Sequence, residues 1–350
     1  FVTAELSAFS PNADGIKDEQ VFTIMTSLQE GIASWSLAIL SENGASVQKW
    51  TGNDAKSLPA KISWDGKDSS GKVVEGSLTA DLEIIYEKGD EVFAKTSSFL
   101  SSITPPQLLV KTSPQYFSPD NDGQDDELFI NLSAKSAVPF TSWSFEINDP
   151  QNGKTFWKTS GKSAITERIT WDGKSNTGEL VQSATDYPYT FTVSDDIGMT
   201  SRFEGLISVD VLVIRVGDVL KIQIPSIIFR PDNADFKSNK EATNGLEQSV
   251  IDNNVRVLKR IAEILNKFRD YTVRVEGHAN NVTNTEKEEI EELVPLSQAR
   301  AAFVKEELRK YGVSSARLST VGLGGRQPVV PHSDRDNWWK NRRVEFILNK

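Results

Sequence analysis

The amino-acid sequence predicts a multidomain protein in which two tandem antiparallel β-sandwich modules precede one α/β sandwich. Three observations support this fold class. A segment of about 105 residues occurs twice. Both copies alternate apolar and polar residues between turn sequences, and helical periodicity begins only beyond residue 210. The predicted domains are residues 1–104, 105–209 and 210–350.

The repeat is marked by three short motifs that recur in the same order at nearly the same spacing. Phe9–Glu19 reappears as Phe117–Glu127, 108 residues later. The other two pairs are Ser34–Ser36 with Ser142–Ser144, and Trp64–Lys67 with Trp171–Lys174. Because three ordered matches do not arise by chance, we interpret both copies as the same structural module.

Each copy is predicted to be all-β. Segments such as Ser36–Leu40, Thr79–Tyr86 and Tyr189–Val193 tend to alternate apolar and polar residues and are rich in β-branched and aromatic side chains. Turn sequences such as Asn43-Gly44 and Asp65-Gly66 separate these segments. About seven short strands per hundred residues, separated in this way, are typical of an antiparallel β-sandwich.

The C-terminal part is predicted to alternate strands and helices. A strand pair at Val211–Arg215 and Leu220–Ile224 precedes a helix of about twenty residues, whose apolar side chains recur every three or four positions. A strand at Thr272–Glu276 and a second helix that ends at Gly312 come next. The last two strands are Arg317–Gly322 and Arg343–Leu348. This β-α-β-α-β order predicts two helices packed on one sheet.

Composition argues against several classes of function. The chain has 39 Lys and Arg against 49 Asp and Glu, and its net charge of −10 argues against a general affinity for nucleic acid or anionic lipid. Cysteine is absent and only His278 and His332 are histidines, which excludes thiolate metal sites and disfavours histidine-based catalysis. No apolar run of about eighteen residues predicts a transmembrane helix. No cofactor and no metal are predicted.

Five motifs of the C-terminal part occur in a characteristic order. They are Ile228–Phe236, Val275–Asn281, Leu296–Ala302, Arg317–Gly324 and Asn341–Phe346. Together they resemble the OmpA C-terminal-like domain, the peptidoglycan-associating module of Gram-negative envelope proteins. The resemblance covers about residues 220–350. It implies an α/β sandwich of OmpA-like type, a periplasmic location, and binding to the peptide stem of peptidoglycan at diaminopimelate.

The resemblance also implies a ligand-binding site. The ligand-binding Asp of the family falls on Asn280, and its ligand-binding Arg falls on Arg300. The other predicted ligand-binding residues are Asn233, His278, Asn281 and Arg343. In the family pattern a carboxylate binds the ammonium of the ligand while a guanidinium binds its carboxylate. Because Asn280 is neutral, we expect weak or undetectable binding of meso-diaminopimelate.

Alternative interpretations remain open for several of these residues. Arg300 could instead form a structural ion pair, and His278 could brace a loop. The two main family positions are 20 residues apart, more than the family usually has, and the extra residues fall in Asn284–Glu292. This insert is either a solvated helix start or a remodelled rim of the site. Of Arg342 and Arg343, we expect one to pack structurally and the other to lie near the pocket mouth.

The motif at Ser10–Asp18 and Ser118–Asp126 is similar to the opening motif of FlgD-like immunoglobulin-type modules. The resemblance covers both repeats and implies Ig-like sandwiches. Two interpretations of its acidic residues remain open. One is a calcium loop, because Asp and Asn at alternate positions before Gly supply oxygen ligands; the other is an Asx-turn. The carboxylates concerned are Asp14, Asp18, Asp122 and Asp126.

These observations predict a non-enzymatic cell-envelope protein of the periplasm, either free or tethered to a membrane by a removed N-terminal segment. The expected partners are peptidoglycan or its stem peptide, through diaminopimelate or a different diamino acid, and envelope proteins that bind the Ig-like repeats. The alternative is a protein–protein scaffold whose OmpA-like domain binds no wall ligand. A carbohydrate-active enzyme is less compatible, since no phosphate loop or dinucleotide motif occurs and His332, Ser333 and Asp334 are adjacent, the wrong arrangement for a triad.

Overall fold

The hydrophobic core of the protein is divided among three large clusters. The computed structural model describes residues 1–225 and 227–350. The buried side chains of the three clusters lie within residues 2–99, 110–212 and 184–348. The first two clusters are associated with two sheets each, and the third with one sheet and its helices.

The first module consists of strands around an aromatic core. Its strands are β1 (Val2–Ala4), β2 (Ala8–Phe9), β3 (Gln20–Ile24), β4 (Ile32–Ser41), β5 (Ser46–Gly52), β6 (Lys61–Trp64), β7 (Gly76–Tyr86), β8 (Glu91–Lys95) and β9 (Phe99–Ser101), with a 3₁₀ turn at Ala55–Ser57. One sheet has the order β1-β3-β6, and the other has the order β2-β9-β7-β4-β5 with β8 also paired to β7.

The second module has a similar arrangement with fewer strands. Its strands are β10 (Gln107–Ser113), β11 (Leu128–Lys135), β12 (Phe140–Asn148), β13 (Thr155–Gly161), β14 (Arg168–Trp171), β15 (Asp186–Asp195) and β16 (Thr200–Ser208). They form a three-stranded sheet, β10-β11-β14, and a four-stranded sheet, β13-β12-β15-β16. All of these pairings are antiparallel.

The repeated motifs are explained by equivalent aromatic contacts in the two cores. The ring centroids of Phe9 and Trp64 are 5.6 Å apart, and those of Phe117 and Trp171 are 5.5 Å apart. Each of these two Trp rings donates a hydrogen bond to the carbonyl three residues later, at 2.7 and 2.8 Å. The Trp of each Trp-Asp-Gly-Lys motif is therefore a core residue whose one polar atom is satisfied.

The acidic loops at the start of each module are closed by their last Asp. Asp18 accepts hydrogen bonds from the backbone N–H groups of Ala13 and Gly15, both at 2.7 Å. Asp126 does the same in the second module, at 2.6 and 2.8 Å. Within each loop, Asp14 and Asp122 accept from the N–H group two residues later, both at 2.8 Å, which is the Asx-turn geometry.

The C-terminal domain is one mixed sheet with helices. Its elements are β17 (Ile214–Val216), β18 (Val219–Ile224), α1 (Gln248–Lys267), β19 (Thr272–Gly277), α2 (Glu286–Glu288), a π-helical turn (Glu289–Leu293), α3 (Val294–Lys310), a 3₁₀ turn (Ser315–Arg317), β20 (Leu318–Gly322), a 3₁₀ helix (Arg335–Asn341) and β21 (Val344–Asn349). The strand order is β17-β18-β21-β19-β20, with β19 and β20 parallel. The apolar stripe of α1 is buried in the core.

The predicted strand at Val211–Arg215 begins later than expected, at Ile214. The preceding residues connect the second module to the C-terminal domain instead. Leu212 packs in the core of the second module, while Val213 donates its N–H to Asp120 at 2.9 Å. Alternating hydrophobicity in this segment therefore reflects burial in two different cores rather than a strand.

An ion pair also joins these two domains. Arg260 on α1 binds both carboxylate oxygens of Asp210, with Nε–Oδ1 and Nη2–Oδ2 distances of 2.9 and 2.6 Å. The hydrogen bond to Asp210 raises the pKa of Arg260 above its ordinary value. Bidentate geometry of this kind is the stronger form of an Arg–carboxylate contact, and it holds the start of the connector against α1.

Helix α3 lies directly on the strand ends that lead to the functional region. A Cβ atom on Gly277 would be 2.1 Å from the carbonyl oxygen of Ser297, and one on Gly322 would be 2.3 Å from the backbone nitrogen of Gln298. Only glycine fits at these positions because backbone atoms, which cannot move aside, occupy the space. The two glycines are paired in the parallel register of β19 and β20.

We expect Gly277→Ala to destabilise the C-terminal domain by about 1–3 kcal/mol, since the added methyl group clashes with the backbone of α3. Ser319→Ala, an exposed change on β20, is the matched control and should alter stability by about 0.5 kcal/mol or less. Urea denaturation measures both. Equal stability of the two variants would contradict the close approach of α3.

A fragment of residues 1–213 is expected to fold without the C-terminal domain, because it contains every buried member of the first two clusters. The expected result is a β-type circular dichroism spectrum and cooperative thermal melting. The fragment lacks Arg260, and the loss of its ion pair with Asp210 should lower the stability of the fragment only slightly. An unfolded fragment would show that the two cores depend on the third domain.

Candidate ligand-binding site

A cavity of about 720 Å³ lies where the C-terminal domain meets the second module. Its wall is formed by the segments after β18 and β19, by helices α1 and α3, by the insert before α3, by the loop before β21 and by the start of β15. Of the predicted ligand-binding residues, the cavity is lined by His278, Asn280, Arg300 and Arg343. The sequence motifs that are far apart in the chain thus meet at one cavity.

Arg300 lies on α3 as a half-buried guanidinium on the cavity wall. It donates hydrogen bonds to the backbone carbonyls of Asn233 at 3.0 Å and Arg230 at 3.4 Å, and it stacks on Phe229 with 5.0 Å between its Cζ and the ring centroid. Within residues 1–225 and 227–350, no carboxylate lies within 4.0 Å of this guanidinium. The structural ion pair that the sequence left open is therefore not formed, and Arg300 keeps hydrogen-bonding capacity for an anion.

The charge balance around Arg300 is unusual for a buried arginine. Burial lowers the pKa of Arg300, Asp232 raises it, and Arg342 lowers it. A cation that is desolvated without a paired carboxylate is costly, so the site gains free energy when an anion binds there. Asp232 and Arg342 both line the same cavity.

Asn280 is oriented by a short chain of hydrogen bonds. The backbone N–H groups of Val329 and Val330 donate to Asn341 Oδ1 at 2.9 and 3.1 Å, which fixes Asn341 Nδ2 as a donor. Asn341 Nδ2 donates to Asn280 Oδ1 at 2.8 Å. Asn280 Nδ2 is buried and has no hydrogen-bond partner in the described part of the chain. The amide nitrogen of Asn280 therefore remains available as a donor, while its oxygen already accepts one hydrogen bond.

His278 lies within a buried network of charged residues on β19 and β21. Its Nε2 is 3.5 Å from Glu345 Oε2 and 3.8 Å from Glu276 Oε2, and its side chain is fully buried. Glu345 is also bound by Arg343 at 2.6 Å and by Lys221 at 2.7 Å. Neither ring nitrogen of His278 has a hydrogen-bond partner in the described chain, so the loop-bracing interpretation stays a prediction, and His278 lies on the cavity wall.

The two buried glutamates are held in their charged form. Burial raises the pKa of Glu345, but His278, Arg343 and Lys221 lower it more, to about 2. The pKa of Glu276 is also lowered, since His278 and Arg274 outweigh its burial. Opposite charges at close range favour the ionised form in this way.

The same residues are the candidate metal ligands of the C-terminal domain. One ligand atom each from Glu276, His278 and Glu345 lies within 4.8 Å of the others. Both carboxylates are already paired, Glu276 with Arg274 and Glu345 with Arg343 and Lys221. These cations would repel a divalent ion, so the arrangement fits an internal ion-pair network better than a metal site.

The insert between the two family positions forms part of the cavity rim. Its chain forms α2 and the π-helical turn, and Glu288 and Glu292 line the cavity. Glu289 is buried and accepts hydrogen bonds from Gly325 N and Asn281 Nδ2, at 2.8 and 3.1 Å. The insert has features of both interpretations given above, because an exposed helix also begins within it, at Glu286. A π-helical turn accommodates extra residues without ending the helix.

Two predicted ligand residues brace loops and do not line the cavity. Asn233 Oδ1 accepts from Arg230 Nη2 at 2.7 Å, and its Nδ2 donates to a carbonyl two residues earlier. Asn281 Nδ2 donates to the carbonyl of Thr285 and to Glu289. Because both amides are used inside the protein, the prediction that they contact ligand is not supported by this geometry.

Arg342 and Arg343 divide as expected. Arg343 is buried and ion-paired, while Arg342 is exposed and lines the cavity. The cavity is also lined by Trp339 and by two residues that the sequence did not predict, Asp186 and Arg256. Asp186 Oδ1 and Trp339 Nε1 are buried and lack hydrogen-bond partners within the described ranges. Only the packing of β15 against the C-terminal domain brings Asp186 to the site.

Comparison with known proteins identifies the C-terminal part of the chain. Residues 247–342 match the OmpA family. The C-terminal domain is an OmpA family domain. No comparison supports the FlgD-like character of the two N-terminal modules, which remains a prediction.

Curated relatives match less than a third of this chain. The peptidoglycan-binding protein ArfA of Mycobacterium tuberculosis is 35% identical over 101 residues, which is 29% of this chain and 29% of that protein. The peptidoglycan-associated lipoprotein of Mesorhizobium japonicum is 37% identical over 92 residues, or 26% of this chain and 52% of that protein. The chain thus spans about half or less of the length of these relatives.

Part of the chain is also similar to solved structures. The periplasmic domain of Helicobacter pylori MotB is 22% identical, with a TM-score of 0.30, and the match covers 39% of this chain and 78% of that one. Among the described residues, no helix has the length and apolar character needed to cross a membrane.

The buried charge network predicts a specific pH dependence for the OmpA family domain. The pKa of Glu345 falls from 4.5 to about 2 on folding, so its contribution is complete above pH 4.5 and is lost as the pH falls towards 2. Relative to Glu345→Gln, the native domain should be more stable by about 3 kcal/mol at pH 6, and this difference should approach zero near pH 2. Urea denaturation across this range measures it.

Glu306→Gln is the control for this experiment, because Glu306 forms an exposed pair with Arg309 on α3. This change should cost about 0.5 kcal/mol or less at every pH. A constant difference between native and Glu345→Gln from pH 6 to pH 2 would contradict the lowered pKa of Glu345.

Proposed function

We propose that this protein is a non-enzymatic component of the bacterial cell envelope that associates with peptidoglycan through the cavity of its OmpA family domain. The observation that carries the proposal is Arg300, a half-buried guanidinium on the cavity wall with no carboxylate partner in the described structure. Peptidoglycan stem peptides carry carboxylates, which a guanidinium binds with charge-assisted hydrogen bonds.

The cavity residues take different roles in this proposal. Arg300 binds a carboxylate of the stem peptide, and Asn280 contacts the neighbouring part of the ligand. His278 and Arg343 form the base of the cavity and are held by Glu345. Asn233 and Asn281 act indirectly, since they hold the loops that carry Arg230 and Glu289. Binding of meso-diaminopimelate is weak because Asn280 supplies no charge for its ammonium.

The two N-terminal modules serve as a spacer or docking platform in this proposal. We infer that they are Ig-like sandwiches with boundaries near residues 104 and 209, because each has two sheets around its own aromatic core. Envelope proteins are the proposed partners of their surfaces. The proposed location is the periplasm, where the protein is either free or tethered to a membrane. Names of the curated relatives support the wall-associated role.

Binding of the full chain to purified peptidoglycan sacculi tests the proposal. Arg300→Ala should lower the affinity for sacculi about ten- to a hundredfold, because a charge-assisted contact of about 1.5–3 kcal/mol is lost. Arg309→Ala is the control, since Arg309 is exposed on the same helix and pairs only with Glu306. Co-sedimentation at several sacculus concentrations gives the affinities.

Circular dichroism of each variant establishes that it is folded. Equal sacculus binding by the native chain and Arg300→Ala would contradict the use of this cavity. No binding by the folded native chain would favour the alternative function, an envelope scaffold that binds protein partners and no wall ligand.

A further inference from the structure

The wall around Asn280 presents buried hydrogen-bond donors that have no partner in the described part of the chain. Three groups that line the cavity have donors to spare: Asn280 Nδ2, Trp339 Nε1 and the guanidinium of Arg300. The first two atoms are buried and have no hydrogen-bond partner in residues 1–225 and 227–350. The residue Asn280 as a whole is only 8% exposed. Buried donors without acceptors are unfavourable, so this wall is complementary to an acceptor that is not part of the protein.

The orientation of the Asn280 amide follows from backbone groups whose hydrogen-bonding role is fixed. Backbone N–H groups can only donate, so Val329 and Val330 require Asn341 Oδ1 as the acceptor. Asn341 Nδ2 then donates to both Asn280 Oδ1 and the carbonyl of Val330. Asn280 Oδ1 therefore already accepts one hydrogen bond from Asn341, while its amide nitrogen remains available to a ligand.

An ammonium group does not fit beside such a wall. Ammonium has three N–H donors and no acceptor, whereas a carboxylate has two oxygens with about four acceptor positions. Placed at Asn280, an ammonium would set donor against donor next to the cation of Arg300. A carboxylate there would accept from Asn280 Nδ2 and gain from the nearby guanidinium.

We infer that the wall formed by Asn280, Arg300 and Trp339 binds a carboxylate group, so that the cavity selects a carboxylate-bearing chain over a zwitterionic diamino acid. The inference rests on the proposed function in taking this cavity as the ligand site. It reverses the group recognised at position 280 relative to the family pattern, in which a carboxylate side chain binds an ammonium. Stem peptides and free dicarboxylates both present a carboxylate group that such a wall would bind.

Acidic side chains on the cavity provide the competing possibility. Asp232 and Glu292 line the cavity and are exposed, and Asp186 Oδ1 is buried without a partner in the described chain. Asp186 Oδ2 is 3.8 Å from Arg256 Nη2, so this carboxylate is already partly neutralised. If one of these acids binds an ammonium strongly, the diamino acid will bind more tightly than a chain without amino groups. The experiment must therefore compare these two ligands directly.

Pimelate and meso-diaminopimelate are the matched probes, because they have the same seven-carbon dicarboxylate chain and differ only in two amino groups. Titration calorimetry of the full chain should show pimelate binding at least as tightly as meso-diaminopimelate. In Asn280→Asp the order should reverse, with meso-diaminopimelate favoured by about tenfold. Cadaverine, which has the two amino groups and no carboxylate, should not bind the native chain.

Three further variants locate the binding. Arg300→Ala should abolish pimelate binding, and Trp339→Phe should weaken it about three- to tenfold by removing one N–H while keeping the ring. Arg309→Ala should leave it unchanged. Circular dichroism and thermal melting of each variant separate loss of binding from loss of folding.

The outcomes separate this inference from the proposed function. Tighter binding of meso-diaminopimelate than of pimelate by the native chain overturns the inference, even where sacculi are bound through Arg300. Pimelate binding that depends on Asn280 and Arg300, in a chain that does not bind sacculi, supports the inference and contradicts the proposed function; the source of the carboxylate is then not the wall. Binding of neither probe by the folded native chain overturns the inference.

Discussion

The candidate site depends on the contact between helix α3 and the ends of β19 and β20. At Gly277 and Gly322 the backbone of the helix is so close that no side chain fits. Ser297 Oγ accepts from Gly324 N at 2.9 Å, and Gln298 Oε1 accepts from Gly322 N at 2.7 Å, so side chains of the helix also satisfy the backbone beyond the strand. Since Arg300 lies one turn further along α3 and Asn280 lies three residues after Gly277, this one contact determines where both residues lie.

Much of the fold could be predicted from local patterns. The stripe of apolar residues predicted α1 within a few residues of its observed bounds, Gln248–Lys267, because burial on one face requires that spacing. The repeated Trp-Asp-Gly-Lys motif predicted two copies of a module, because each Trp is a core residue with a local hydrogen bond. The segment from Val211 was misjudged as a strand, since an alternating pattern does not reveal that its residues are buried in two different cores.

The details of the candidate site were less predictable because they depend on contacts distant in sequence. The family pattern identified Asn280 and Arg300 as positions, but the polarity of Asn280 is determined by Asn341, 61 residues away. Asp186 reaches the cavity only because the second module packs beside α1, where Arg256 faces it at 3.8 Å. Asn233 and Asn281 were predicted from proximity in the motifs. Their amides, however, have stronger partners inside the protein.

Position 280 has asparagine where the family pattern has aspartate, and this difference affects hydrogen bonding as well as charge. An aspartate in this place could accept from Asn341 Nδ2 and still have acceptor positions left for a ligand cation. The asparagine uses one acceptor position of its only oxygen on Asn341, and its amide nitrogen is a donor without a partner in the described chain. Arg300 then no longer has an acidic counterpart across the wall, and the nearest influence of opposite charge comes from the exposed Asp232. Asn280 and Arg300 favour an anion, and the field of the exposed acids Asp232 and Glu292 is screened by solvent. Asp186, which has one buried oxygen, is partly neutralised by Arg256. The selectivity of the cavity for carboxylate is therefore a consequence of which hydrogen bonds the protein makes internally, and it holds only as long as the loop from Val329 to Asn341 keeps its conformation.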